Sequence, residues 1–225
     1  MLMTCKIITV FNQKGGSGKT TMSMSIASAL ALDHKLTKSK RVLVVDMDDQ
    51  GTAVQWSAQA DGSAPFPCTV VGLHRAGHSI INEIKKFTTD FDYIVIDCPP
   101  GKDPVIPGSA MMVSDLAVIP MNPSPGDMWA AQGAKKIAMD AKFNNADLKV
   151  RFLINNMPHN SSLSKEVADL VGQDSDVGVF ESVIRSRTAF QVCMVEGVSV
   201  IQLEPNSKAA FEVRQLAKEI ISLIG

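Results

Sequence analysis

Residues 5–11, CKIITVF, run without a break into Asn12-Gln13-Lys14-Gly15-Gly16-Ser17-Gly18-Lys19-Thr20-Thr21, and Thr20–Leu32 then reads as a helix. An apolar strand that feeds a helix through a glycine-rich turn constrains the fold more than any other feature of the chain. The alternation recurs. Strands are predicted at 41–46 (RVLVVD), 68–73 (CTVVGL), 91–97 (FDYIVID), 115–121 (DLAVIPM) and 149–155 (KVRFLIN). Helices are predicted over Gly51–Gln59, Ser79–Phe87, Asp127–Lys142, Leu163–Val171 and Asn206–Ile224. Met22, Ile26 and Leu30 share one face of the first helix, and Val213, Leu216, Ala217, Ile220 and Ile224 one face of the last. Strands apolar nearly throughout, separated by amphipathic helices, imply an α/β fold: a single doubly wound, mostly parallel sheet with helices on both faces. Crossovers in such a sheet are right-handed, and ligand chemistry gathers at the carboxyl ends of its strands.

Composition narrows the function classes. The chain has 225 residues, 45% hydrophobic and 20% charged, which suits one globular domain over 1–225 and not a disordered chain. Lys plus Arg number 22 against 23 Asp plus Glu, a net charge of −1, so any hold on nucleic acid must come from a local basic face. No apolar run reaches the ~18 residues of a membrane span. Met1–Phe11 lacks a basic leader and a cleavage site and reads as a buried strand, so a cytoplasmic protein is expected. Cys5, Cys68, Cys98 and Cys193 form no C-x-x-C and read as reduced thiols. His74 and His78, in His-Arg-Ala-Gly-His, lack the Glu of a zinc-protease motif and read as loop histidines.

The turn after the first strand has the context of a phosphate loop. Glycines let the backbone bring several N–H groups to one anion, and the helix start adds partial positive charge. Gly15, Gly16, Ser17, Gly18, Lys19, Thr20 and Thr21 are the candidate phosphate-binding residues. Lys19 would reach the β- and γ-phosphates of a nucleotide, and the Thr20 hydroxyl would hold Mg²⁺. Gln13 stands where the usual pattern has its first glycine, and a second lysine, Lys14, lies inside the loop. Asp97 ends the run Tyr93-Ile94-Val95-Ile96, the layout that carries a carboxylate to a metal's water shell. Asp46 and Asp48, two apart at the end of another strand, would lie on one side of it.

K-G-G-S-G-K-T-T resembles the deviant Walker A motif of the ParA/MinD ATPases, over most of the chain and most nearly the short plasmid-partition proteins of ParF type. The resemblance implies ATP and Mg²⁺ as cofactors, slow ATP hydrolysis and a homodimer in the ATP state. Lys14 becomes the signature lysine that reaches the partner's nucleotide across that dimer. Asp48 would position or polarise the attacking water near the metal. Asp46 would support it; solvated loop acids, or a cap for the helix at Thr52, are the alternatives for Asp46, Asp48 and Asp49. Asp49 replaces the family's proline. The segment holding Pro123 would lie near the base and the dimer interface, or be a rigid loop only. Asn155 would read adenine, or be a strand-end turn residue. The implied partners are a ParB-like adaptor and nonspecific double-stranded DNA, with nucleoid association. Arg185 and Arg187 are the candidate DNA contacts, with Lys208, Arg214 and Lys218 behind them.

The leading expectation is an ATPase for plasmid or chromosome segregation. The loop begins too early in the chain for the N-terminal helix-turn-helix of the longer family members. A carboxysome or chemotaxis-cluster positioner is the alternative. A MinD-like membrane-cycling ATPase would need a basic amphipathic tail, whereas the final helix mixes Lys208, Arg214 and Lys218 with Glu212 and Glu219, so no stable membrane association is expected. Iron–sulfur carriers of this superfamily need a cysteine pair and its bacterial tyrosine kinases carry a tyrosine cluster, whereas this chain has no suitably spaced cysteines and one tyrosine, Tyr93. A nucleotide-gated scaffold without turnover is disfavoured by Lys19, Thr20, Asp48 and Asp97 together.

Overall fold

The computed structural model describes residues 5–32, 40–62, 64–158 and 177–225, so the helix expected over Leu163–Val171 lies outside the described residues. Strands β1 (Lys6–Val10), β2 (Val42–Asp46), β3 (Thr69–Gly72), β4 (Tyr93–Asp97), β5 (Leu116–Met121), β6 (Lys149–Ile154) and β7 (Gly178–Val179) form one sheet in the order β3-β2-β4-β1-β5-β6-β7. Every pairing is parallel. All residues of β2, β4 and β5 are buried. That explains why these runs are apolar without alternation: both faces of each strand meet helices.

Helices α1 (Lys19–Leu32), α2 (Thr52–Ala58), α6 (Ala189–Glu196), α7 (Val200–Leu203) and α8 (Lys208–Ile224) join one core, whereas α3 (Ile80–Phe87), α4 (Val105–Met111) and α5 (Pro125–Asn144) join the other. The final helix buries the five apolar residues expected of it. The first does not present a single apolar face. Met22 to Leu30 are all buried, because α1 is packed between the sheet and the C-terminal helices. Its serines Ser23, Ser25 and Ser28 are therefore interior, which a one-face reading does not anticipate. The short helices α4, α6 and α7 and strand β7 are likewise absent from the sequence reading. Pro107 hid α4, yet it sits in the first turn, where its missing N–H would be unpaired anyway. Helix α5 starts two residues earlier than expected. The Ser124 hydroxyl accepts the Asp127 N–H, and Pro125 occupies the first helical position.

The carboxyl ends of β1, β2, β4, β5 and β6 lie along one edge of this parallel sheet. They deliver the glycine loop, Asp46, Asp97, Asn122 and Asn155 to that edge. The chain order reverses around β1, the position at which open α/β sheets bind ligands.

Candidate nucleotide site

The glycine loop wraps the start of α1. Lys19 is only 7% exposed, and its ammonium donates to the Lys14 carbonyl oxygen at 3.2 Å. It makes no ion pair among the described residues. Burial lowers its pKa, opposed by the nearby Asp97 and Asp48 carboxylates. Ser17 Oγ is buried in the same loop with no hydrogen-bond partner. An under-partnered ammonium and an orphaned hydroxyl in one loop fit an anion, here a nucleotide's phosphates. Gly18, at φ +88°, must be glycine: a Cβ there would sit 2.1 Å from Asn155 Nδ2. Gln13, the departure from the usual pattern, has its side chain over Gly133 of α5, where any Cβ would strike it.

Next to Lys19, Thr20 Oγ1 donates to Asp97 Oδ2 at 2.7 Å, and Ser23 Oγ lies 2.9 Å from Asp97 Oδ1. Burial pushes the Asp97 carboxyl up to about 7, and the Thr20 and Ser23 hydroxyls pull it partly back. A hydroxyl beside a carboxylate is an all-oxygen donor set, which fits Mg²⁺. The sequence reading missed Ser23. Its signal was the spacing: four residues after Lys19, it must share that residue's helix face.

Asp46 resolves between its alternatives. It is fully buried, and its carboxylate accepts the backbone N–H groups of Asp48 (3.0 Å), Ala53 (2.9 Å) and Val54 (3.2 Å). It thus caps α2 from the end of β2, at a position where the helix's own cap residue, Gly51, has no side chain. Burial raises its pKa, and the three N–H donors oppose this. Asp48 is half-buried, with Oδ1 accepting the Gln50 N–H at 3.1 Å, so it is held within a short turn. Asp49 is exposed.

The second lysine faces elsewhere. Lys14 Nζ is paired with Asp127 Oδ2 at 2.7 Å; its side chain is 42% exposed, whereas that of Asp127 is buried. Asp127 also accepts from the Ser124 hydroxyl and from Asn122 Nδ2. Burial raises the Asp127 carboxyl, but the hydrogen bonds from Lys14 and Ser124 outweigh it and hold it below the ordinary carboxylate range. Asn122 Nδ2 reaches the Gly16 carbonyl oxygen as well, which places the Pro123 segment against the phosphate loop. Asp127 was unassigned by sequence, although Ser124-Pro125-Gly126-Asp127 carries the S-x-x-D signal of a capped helix start.

A cavity of about 310 Å³ opens beside the loop, lined by Gly16, Gly18, Thr21, Asn155, Arg187 and Phe190, among others. Pro123 is not part of this lining. Asn155 is buried there, with Nδ2 donating to the Ser17 carbonyl oxygen at 2.9 Å. Arg185 lines the same cavity. The two arginines differ in their surroundings: the Arg185 guanidinium donates to the Pro158 carbonyl oxygen at 3.4 Å. The Arg187 guanidinium pairs with Glu212, both side chains being 15% exposed, and the Arg185 N–H donates to the same carboxylate. The reason is tertiary: α8 lays Glu212 along the segment that carries them. A wider cleft of about 600 Å³, lined by Leu203, Glu204 and Lys208 among others, also borders Arg187. His74 and His78 fall in a 3-10 turn broken at Gly77, and no cluster of three or more metal-ligating side chains occurs among the described residues.

A parallel sheet with a glycine loop after β1, a buried lysine at the start of α1 and a hydroxyl–carboxylate pair beside it defines a P-loop nucleoside-triphosphate-binding protein. The AAA domain family AAA_31 matches residues 5–64 and 64–152. The maintenance of carboxysome distribution protein A of Halothiobacillus neapolitanus is 32% identical over 219 residues, covering 95% of each chain. The sporulation initiation inhibitor protein Soj of Bacillus subtilis is 26% identical, covering 96% of this chain and 98% of its own. The septum site-determining protein MinD of Pyrococcus horikoshii, solved with Mg-ADP, superposes with a TM-score of 0.73 at 23% identity, over 98% of both chains. The chain belongs to the ParA/MinD family of P-loop ATPases.

Proposed function

We propose that the chain is an ATP-driven positioning ATPase. In this reading it binds Mg-ATP and pairs with a second copy through the phosphate loops. The dimer holds nonspecific double-stranded DNA and hydrolyses ATP slowly under stimulation by a ParB-like adaptor. The observation that carries the reading is the division of labour between two lysines of one loop. Lys19 is buried inside the loop and short of acceptors, whereas Lys14 points off it, half-exposed.

Lys19 would hold the β- and γ-phosphate oxygens, with the loop N–H groups and Ser17 completing the cradle. Thr20 and Asp97 would hold Mg²⁺, which when bound neutralises charge developing on those oxygens. Asp48 orients the attacking water from a turn that Asp46 fixes. Asn155 and the adjoining cavity take the base. Lys14 must leave Asp127 to reach a partner's nucleotide. Lys208 and Lys218, both exposed on α8, are the better-placed DNA contacts. The apolar face of α8 lies in the core, which gives no support to a membrane-cycling role.

The cargo has two readings. DNA partition is the first, as for the relative named chromosome partitioning protein ParA. The relative that is 32% identical distributes carboxysomes, and this favours a protein compartment as the second. Lys14→Ala tests the mechanism common to both. It should bind ATP like wild type in calorimetry, yet stay monomeric with ATP and show no DNA- or adaptor-stimulated turnover. A Lys14→Ala chain that dimerises and turns over normally would leave Lys14 a loop residue.

A further inference from the structure

Two carboxylates of α8 have no place in the mechanism so far. Glu212 and Glu219, two turns apart, share one face of the helix and hold the segment 181–187. Glu219 accepts the N–H groups of Glu181 (2.9 Å) and Ser182 (2.7 Å) and the Ser182 hydroxyl. Glu212 accepts the Arg185 N–H at 3.1 Å, Arg187 Nε at 3.3 Å and Arg187 Nη2. From the other side the same segment is tied to the end of β6: Ile184 N–H donates to Ile154 at 3.0 Å and Ser186 N–H to Met157 at 2.9 Å. The pinned segment forms the wall of the 310 Å³ cavity that faces the phosphate loop.

We propose that Glu212 is a positioning residue for the nucleotide site. It fixes Arg187 in the cavity wall so that the guanidinium contacts the nucleoside half of the bound nucleotide. The inference rests on the nucleotide-binding reading above and reassigns Arg187 from DNA to nucleotide. Charge argues for it. A guanidinium already neutralised by a side-on carboxylate, with both groups mostly buried, offers little net charge with which to neutralise a DNA phosphate and displace its condensed counterions. Geometry argues for it too. Pairing through Nε and Nη2 leaves Nη1, which makes no hydrogen bond among the described residues, to donate at the cavity. A planar guanidinium can also stack on a purine, as a lysine ammonium cannot.

The test uses the full chain and two probes, Mg-ADP and Mg-triphosphate, by calorimetry. Arg187→Ala and Glu212→Ala should each weaken Mg-ADP on the order of tenfold, the effect of one charge-assisted hydrogen bond. Binding of Mg-triphosphate, which lacks a nucleoside, should not change. The double variant should be no weaker than the worse single, because Glu212 acts through Arg187. Arg187→Lys should not restore affinity. At saturating ATP, the salt slope of DNA binding should match wild type. Arg187→Lys keeps a cation opposite Glu212 and so keeps the test valid if either alanine variant unfolds: Mg-ADP affinity should still fall, because an ammonium cannot reproduce the guanidinium's contact. Unchanged Mg-ADP affinity in folded Arg187→Ala overturns the proposal, as does a salt slope that falls by about one phosphate contact. Lys19→Ala separates the two levels. If it binds Mg-ADP like wild type, the nucleotide-binding reading itself fails; if it loses binding while Arg187→Ala does not, only the Glu212–Arg187 assignment falls.

Discussion

Replacing Asp46 by alanine tests how the second strand sets the turn that carries Asp48. The wild-type carboxylate is fully buried and accepts three backbone N–H groups, two of them in the first turn of α2. Alanine leaves those donors without an acceptor, and a buried donor without a partner costs about 1–3 kcal/mol. Against this, a desolvated carboxyl whose pKa burial has raised is also removed. The net loss is about 2–4 kcal/mol, or roughly 5–15 °C in melting temperature at 2–4 °C per kcal/mol for a chain of this size. Asp46→Asn keeps the shape and one acceptor oxygen and should lose about half as much. Catalysis should suffer separately. With the 3.0 Å bond to the Asp48 N–H gone, the turn relaxes, and a displacement near 1 Å at a reacting group costs on the order of 100-fold in rate. Thermal melts followed by circular dichroism and ATP turnover at saturating Mg-ATP measure the two effects. A melting temperature within about 2 °C of wild type would refute the capping argument. A large melting shift with undiminished turnover at a permissive temperature would show that Asp48 does not depend on Asp46.

Asp127→Asn keeps the start of α5 capped but removes the ionic hold on Lys14; because Lys14 is half-exposed, stability should change by no more than about 1 kcal/mol. ATP-dependent dimerisation should then begin at a lower ATP concentration in sedimentation velocity, and an unchanged midpoint would mean that Asp127 does not compete for the lysine. Gly197→Ala should destabilise by about 2–4 kcal/mol. Its φ is +69°, and a Cβ would lie 1.9 Å from the Ala60 backbone nitrogen, so α6 and the end of α2 must separate. A urea midpoint like wild type would disprove that contact. The Asp97 carboxyl, raised by burial to about 7 when folded, favours the metal-free fold in its protonated form. That stability is fully present below about pH 4, the unfolded carboxylate range, and is lost as pH rises through about 7. Asp97→Asn should therefore gain on wild type as pH rises from about 4 to 7 in urea titrations without Mg²⁺, and parallel profiles would count against the burial argument.

Local chemistry was legible in the sequence wherever neighbours along the chain decide the outcome. Residues 12–21 announce their own turn, because glycine spacing and a lysine–threonine helix start need no distant partner. The runs of β2, β4 and β5 announce a sheet buried on both faces, because only burial tolerates such continuous apolarity. The final helix showed its buried face for the same reason. The outcomes that differed were set by residues far apart in sequence. That α1 is buried on every side depends on α8 closing over it some 180 residues later. Whether Asp46 serves the metal region or a helix start was open until α2 folded back over the end of β2. Ser23 and Asp127 looked like ordinary polar residues until β4 and the phosphate loop arrived beside them. Arg185 and Arg187 illustrate the limit most clearly. Two nearby arginines read as a basic face from sequence, but the charge a ligand meets depends on what lies across the fold: Glu212 of α8 pairs with the Arg187 guanidinium and takes only the backbone N–H of Arg185. Sequence fixes which charges a chain carries; only the packed structure determines which of them are already neutralised, and which surfaces they line.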